Sequence, residues 1–328
     1  MNLDEKYFYI PDSTDNISFL TEQLFRQQTQ SWQTAAGNYK GLEKIKVREL
    51  GIGRMRFCIQ YNPERIRSSA AKVDAESISK RKCFLCLQNL PEEQQCIPVC
   101  DDFIILVNPY PIFPKHLTIP KLQHTSQLIA KNAGTMFDMA AILTGYVIFY
   151  NGPQCGASAP DHLHFQAGSK GFLPVEKEFA EMKSRLPAHR YKSVEISFAT
   201  DYLRRMITLQ SDSRDCLIEA FEKIYGILVA LQPHEHEPML NIICYAGKDE
   251  WIMHVFPRIR HRPAQFFASG ERQLLISPAS VDLGGVLITP RNEDFEKITS
   301  EDIIDIFNQV TAGKAEFEKI MHEINKLK

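Results

Sequence analysis

The sequence predicts an α+β fold built mainly on antiparallel sheet, and three observations predict it. Strand-length apolar runs are joined by short turns into hairpins: KIKVREL to RFCIQYN through GIG, and DFIILV to HLTI around NPYPIFPK, whose three prolines exclude helix. Longer stretches of helical period separate these hairpins from further strands. The order strand, hairpin, helix, strand occurs once strongly and again weakly, with no short solenoid period. The 328 residues are 44% hydrophobic and 24% charged, which is ordinary globular composition and sets aside a disordered chain, a collagen or a coiled coil.

The elements follow in chain order. Residues 16–35 place apolar side chains at i, i+3 and i+4 and predict a helix. Residues 44–50 and 55–61 alternate and predict strands. Residues 64–82 are polar and basic, a loop or short helix. Strands are expected at 102–107 and 116–119, a helix at 125–144 and a buried strand at 145–150. The turn NGPQCGASAPD then leads into a strand HLHFQA. Residues 170–190, rich in Lys and Glu, read as loosely structured. A helix over 212–232 and strands over 239–245, 251–256 and 283–289 follow. One helix is expected over 299–327, with Ile303, Ile304, Ile306, Phe307 and Val310 on its apolar face.

Lysine plus arginine numbers 38 and aspartate plus glutamate 40, a net charge of -2. That balance gives no basic field for nucleic acid or an anionic membrane, so a phosphate-bearing partner has to be met by a local site. The N-terminal stretch carries acids and no apolar core of a secretory signal. The longest apolar runs fall well short of the roughly 20 residues that span a bilayer. A soluble cytoplasmic protein is expected, with neither nucleic acid nor membrane as partner. Its thiols would then be reduced, so a close cysteine pair points to metal or redox chemistry.

Three constellations carry chemistry. In Asp161-His162-Leu163-His164-Phe165-Gln166, strand alternation would put His162, His164 and Gln166 on one side and Leu163 and Phe165 toward the core. The row is either a ligand site or a solvated polar face. The preceding turn, Asn151-Gly152 through Gly156-Ala157-Ser158, favours a ligand, because small residues let backbone N–H groups and the Ser158 hydroxyl approach a phosphate. Cys83 and Cys86 are spaced to chelate a tetrahedral Zn²⁺, or to form a redox pair. The zinc reading needs two more ligands, for which His124 and His162 are candidates. The other six cysteines read as small buried hydrophobes. Asn62-Pro63-Glu64-Arg65-Ile66-Arg67 follows a strand and offers either arginine forks for phosphate or a solvated basic loop.

The run Asn108-Pro109-Tyr110-Pro111, then His116 and Ile119-Pro120-Lys121, then Gly156-Ala157-Ser158, then His162-x-His164-x-Gln166 resembles the histidine-triad superfamily, and within it the transferase branch. That branch holds galactose-1-phosphate uridylyltransferase, diadenosine tetraphosphate phosphorylase and GDP-L-galactose phosphorylase. HLHFQA, CIQYNPERIRSS, NIICYAGKDEWIMHVFP and GGVLITPRNEDFEKI look most like the phosphorylase. CFLC, and His124 within IPKLQHTS, look most like the uridylyltransferase.

The resemblance implies an HIT-like fold of two halves: a helical extension over 1–40, a catalytic half over 41–170 and a second or accessory half over 171–328. It implies His164 as the nucleophile that takes a nucleotidyl group from a nucleoside diphosphate sugar or dinucleoside polyphosphate, with Gln166 and Ser158 beside it. Asn151, Gly156, Asn62, Arg65 and Arg67 would bind the nucleotide. Cys83, Cys86, His124 and His162 would hold a structural Zn²⁺. Inorganic phosphate or a sugar phosphate would be the acceptor, and the second half would cover the first unless a homodimer does. A hydrolase on the same scaffold and a non-catalytic nucleotide-binding protein are the alternatives. Two departures separate the chain from the uridylyltransferase pattern: an extra residue near Ala159-Pro160-Asp161, and Leu163 where a proline usually stands. His234 and His236 read as part of a solvated loop. His254, Arg258, Arg260, His261 and Arg262 form a basic patch that either receives the second phosphate or sits in solvent.

Overall fold

The computed structural model describes residues 7–9, 16–66 and 74–328. In chain order its strands are β1 (Lys46–Ile52), β2 (Met55–Tyr61), β3 (Cys96–Val99), β4 (Phe103–Val107), β5 (His116–Pro120), β6 (Tyr146–Asn151), β7 (His164–Ser169), β8 (Ala188–Tyr191), β9 (Val194–Ala199), β10 (Met206–Ser211), β11 (Leu240–Ala246), β12 (Trp251–Pro257) and β13 (Val286–Thr289). The helices are α1 (Ile17–Ser31), α2 (Gln33–Gly41), α3 (Ala75–Ser79), α4 (Ala133–Ile142), α5 (Pro174–Met182), α6 (Arg214–Leu231), α7 (Ala264–Phe267), α8 (Ser280–Leu283), α9 (Asn292–Lys297), α10 (Ser300–Val310) and α11 (Lys314–Ile324).

Ten strands form one antiparallel sheet in the order β3-β4-β5-β7-β6-β11-β12-β10-β9-β8. The order reads the same from either edge. Each half contributes three strands, a helix (α4 or α6) and two more strands, and the halves meet where β6 pairs with β11. This is the α+β, mainly antiparallel architecture that the sequence predicts, in the two halves that the resemblance implies. The registers also match: Gln166 lies opposite Thr118 and Phe149, and His254 lies opposite Thr208 and Ile243. His254 is therefore the second half's counterpart of Gln166, and Ile252 stands where the first half has His164.

Side chains alternate across the sheet and build two cores. Ile148, Tyr150, Phe165 and Ala167 pack against α1, α4, α6 and α11. Phe149, Ile243 and Phe256 face the opposite way, toward α5, α10 and the small sheet β1-β2-β13, in which β13 runs parallel to β2. Leu163 and Phe165 lie in the helical core, as alternation predicts. Among the described residues no helix is long and apolar enough to cross a membrane.

Several sequence expectations change. Of the helix expected over 125–144, only Ala133–Ile142 forms. Residues 125–129 use their backbone for tertiary bonds instead: the Thr125 carbonyl accepts from Leu163 N, Gln127 N donates to the Pro160 carbonyl, and Ile129 N donates to Glu237. The 16–35 helix divides at Trp32, whose extended backbone caps α1. The tail helix breaks at 311–313, where Thr311 bridges to Arg258 and Gly313 starts α11. Residues 283–285 end a helical turn, and β13 begins after Gly285, whose φ is +103°. The segment 170–190 is ordered into α5 and the start of β8. Cys58, Cys100 and Cys216 are half-buried, unlike Cys96, Cys155 and Cys244.

Candidate active site

β7 begins at His164, two residues later than the alternation argument requires. His162 therefore lies outside the strand, and its ring turns away from His164. The His164 imidazole opens onto a cleft of about 710 Å³ on the small-sheet side, whose lining includes Arg65, Asn151, Gly156, Ser158 and Gln166. The second half closes one wall with His261, Arg262, Ala279 and Asp282, and Trp32 and Thr34 reach it from the N-terminal helices.

Hydrogen bonds set the donors and acceptors of this cleft. His164 Nδ1 lies 2.8 Å from the His162 carbonyl, so that nitrogen carries the proton and Nε2 keeps its lone pair. Burial pushes the His164 imidazole down to about 4, so the ring is neutral at pH 7. The Asn151 carboxamide oxygen accepts from Asn241 Nδ2 at 2.9 Å and from Ser280 N at 2.8 Å, which leaves its NH₂ as the group free to face the cleft. Gly156 has φ +97°, and a Cβ there would meet the Ala279 Cβ at 2.5 Å. The turn before His164 thus needs glycine both for its backbone conformation and for its approach to the second half. Arg65 donates to the Tyr110 carbonyl at 2.9 Å, and burial lowers its guanidinium to about 10.

A second cluster lies beside the cleft. The ligand atoms of Cys83, Cys86, His124 and His162 all fall within 4.8 Å of one another. Cys83 Sγ is 3.3 Å from His162 Nδ1, and Cys86 Sγ is 3.2 Å from His124 Nδ1. His162 Nε2 donates to the Lys121 carbonyl at 2.7 Å, which leaves Nδ1 as the ligand nitrogen. His124 Nε2 faces Asp161 at 3.6 Å, and Asp161 in turn meets Arg81 at 2.7 Å. Such outer partners orient metal ligands. Burial and the neighbouring Cys83 thiol push Cys86 up to about 11. Two thiols and two imidazoles in a convergent, mostly buried set fit a metal ion.

Residues 175–328 match the family described as "GDPGP1-like, C-terminal domain", and residues 24–169 match a domain of unknown function, DUF4922. The yeast Ap4A phosphorylase Apa2 is similar in structure over 86% of this chain and 97% of its own, with a TM-score of 0.57 and 16% identity. Its complex with AMP matches over 86% and 97%, at TM-score 0.53 and 17% identity. Its complex with Ap4A matches over 85% and 96%, at TM-score 0.52 and 16% identity. The chain shares the fold of this phosphorylase, which is the HIT-like architecture that the resemblance to the histidine-triad superfamily implies. No curated protein matches the sequence.

Within this fold the structure brings His164, Gln166, Ser158, Asn151, Gly156 and Arg65 to one cleft. Asn62 does not join them: its buried amide donates to the Pro111 carbonyl at 3.0 Å and supports the 109–112 loop. Arg67 lies outside the described residues. The 254–262 patch divides. His254 is fully buried between Thr208 and Tyr245, and Arg258 is buried with bonds to Asn241 and four backbone carbonyls. Only His261 and Arg262 reach the cleft. His234 and His236 are exposed in the 232–239 loop, as expected, while their neighbour Glu237 is buried.

Sequence reasoning assigned no role to His116, Gln127 or Asp282. His116 stood within the family string but outside the H-x-H-x-Q motif. Gln127 was taken for a helix residue. Asp282 enters only because the second half folds back over the first.

Proposed function

We propose that this chain transfers a nucleotidyl group from a nucleoside diphosphate sugar or dinucleoside polyphosphate to a phosphate-bearing acceptor, through a covalent nucleotidyl-His164. The observation that carries the reading is the His164 tautomer. Its Nδ1–H is committed to the His162 carbonyl, and its neutral Nε2 opens onto a cleft bordered by the donors of Asn151, Ser158 and Gln166. Mere binding does not require a neutral, oriented imidazole.

In the first half-reaction His164 Nε2 attacks the α-phosphorus. An N–P bond forms, the bond to the bridging oxygen breaks, and the leaving sugar phosphate or nucleotide keeps that electron pair. Asn151, Gln166 and Ser158 donate to the equatorial oxygens as their charge grows, and Arg65 offsets charge nearby. In the second half-reaction an oxygen of the acceptor phosphate attacks the same phosphorus and the N–P bond breaks, which returns neutral His164. The fold likeness to the yeast phosphorylase, whose structures hold AMP and Ap4A, supports this substrate class.

Cys83, Cys86, His124 and His162 would hold zinc, the ion that a two-thiolate, two-imidazole set suits. Bound there, zinc supplies no reacting group; it fixes the loop that leads into β7. Residues 41–170 act as the catalytic half and 171–328 as the half that covers it, with 1–40 as a helical extension.

The test is a panel of nucleoside diphosphate sugars and dinucleoside polyphosphates, each with and without inorganic phosphate or a sugar phosphate. Nucleotide release that depends on the acceptor is expected. Full turnover with water alone would replace transfer by hydrolysis.

A further inference from the structure

We propose that Gln127 is a positioning residue for His164: its buried side-chain amide replaces one rung of the sheet between β6 and β7 and thereby clamps the nucleophile's backbone. This rests on the reading of His164 as nucleophile and concerns what holds it in place.

The pairing of β6 with β7 ends at Phe149 opposite Gln166. Continued in the same register, Tyr150 and Phe165 come next, and Asn151 and His164 after them. The paired register stops short of those two. The Gln127 carboxamide stands between them instead. Its Nε2 donates to the Asn151 carbonyl at 3.0 Å and to the His164 carbonyl at 3.0 Å, and its Oε1 accepts from His164 N at 2.8 Å. Both backbone groups of His164 that would face β6 are therefore met by one side chain, which has no exposed surface. The inserted amide splays the strands, and the two residues so separated, Asn151 and His164, both line the cleft.

Gln127 is itself anchored. Its N donates to the Pro160 carbonyl at 3.2 Å, and its carbonyl accepts from Tyr150 Oη at 3.0 Å. Tyr150 Oη also lies 2.6 Å from Glu237 Oε2, which ties the clamp to the second half. Both amide hydrogens of Gln127 are used, so no other side chain serves equally. A glutamate would set a second oxygen against two carbonyls, and a methionine would leave three buried backbone groups without partners.

The experiment measures nucleotide affinity, the single-turnover rate of adduct formation, thermal unfolding and amide hydrogen exchange for wild type, Gln127→Met and Gln127→Glu. In Gln127→Met, nucleotide affinity within about threefold of wild type and adduct formation slowed about 100-fold are expected, the size of effect that small misplacement of a reacting group produces. Gln127→Glu is expected to be slowed at least as much. An adduct rate within threefold of wild type in either folded variant would overturn the proposal, as would a rate loss matched by an equal loss of affinity. Should neither variant fold, exchange in the wild type decides. The His164 amide should be protected as strongly as amides paired inside the sheet, and exchange as fast as an open loop would overturn the clamp. If wild type forms no adduct with any substrate, the nucleophile reading falls first; the exchange result then separates a structural clamp from none.

Discussion

His116 Nε2 and Gln166 Oε1 meet at 3.0 Å, on a diagonal between β5 and β7. Gly168 lies opposite His116 and has no side chain to stand between them. The contact fixes which way Gln166 faces. His116 Nδ1 accepts from Ile112 N at 3.2 Å, so Nε2 must carry the imidazole proton and donate it to the Gln166 oxygen. The Gln166 NH₂ is then the end presented to the cleft. Burial and the nearby Arg65 charge push His116 down to about 3, which keeps the ring neutral at pH 7.

Replacing His116 should therefore impair catalysis without any contact to substrate. His116→Phe, in a pocket already lined by Phe113 and Phe149, should slow adduct formation by about 10- to 100-fold, somewhat less than outright loss of a transition-state donor. Substrate affinity should change far less. Single-turnover kinetics beside equilibrium nucleotide binding check this, and equal losses in both would refute an orienting role.

Metal analysis should find about one zinc per chain, in four-coordinate sulfur and nitrogen ligation. Cys83→Ser should lose the ion and lower the unfolding midpoint, because the loop carrying His162 would no longer be held. X-ray absorption at the zinc edge and a thermal melt measure both. A folded, fully active protein free of metal would remove the assignment.

Stability should fall as the pH drops from 7 to 5. Burial holds His116 and His254 down to about 3 and His261 to about 4, against an ordinary value of 6.5. Below 6.5 the unfolded chain takes up protons that the folded chain refuses, so the stability these groups contribute is full above that value and lost on acidification. Glu237, raised to about 7, and Asp282, raised to about 6, act in the opposite sense, since their folded forms bind protons more tightly. The three histidines outweigh the two acids. His254→Leu removes one site of proton uptake and should flatten the slope of unfolding midpoint against pH; an unchanged slope would contradict this.

The strands were legible because their signals are local. Alternation placed β1 and β2 almost to the residue, and the prolines of NPYPIFPK marked the β4–β5 connection. Residues 125–132 were not legible as non-helical, because their helical period is overridden by tertiary bonds to Pro160, Leu163 and Glu237, all distant in sequence. The same long-range folding hid half of the site. Alternation correctly separated His164 and Gln166 from Leu163 and Phe165, but could not show that β7 starts only at His164 and that His162 turns to Cys83. The division of the 254–262 patch, with Arg258 buried and Arg262 in the cleft, depends on packing against β11 and α10 that no local pattern encodes.

The central claim is the bond between His164 and a nucleotide. Wild type and His164→Ala should be incubated with α-phosphate-labelled nucleoside diphosphate sugars and dinucleoside polyphosphates without acceptor, then examined by intact mass and peptide mapping. Wild type should gain one nucleotidyl group, mapped to His164 and discharged when phosphate or sugar phosphate is added, while His164→Ala gains none. An adduct that forms equally in His164→Ala, or full turnover by that variant, would contradict the account.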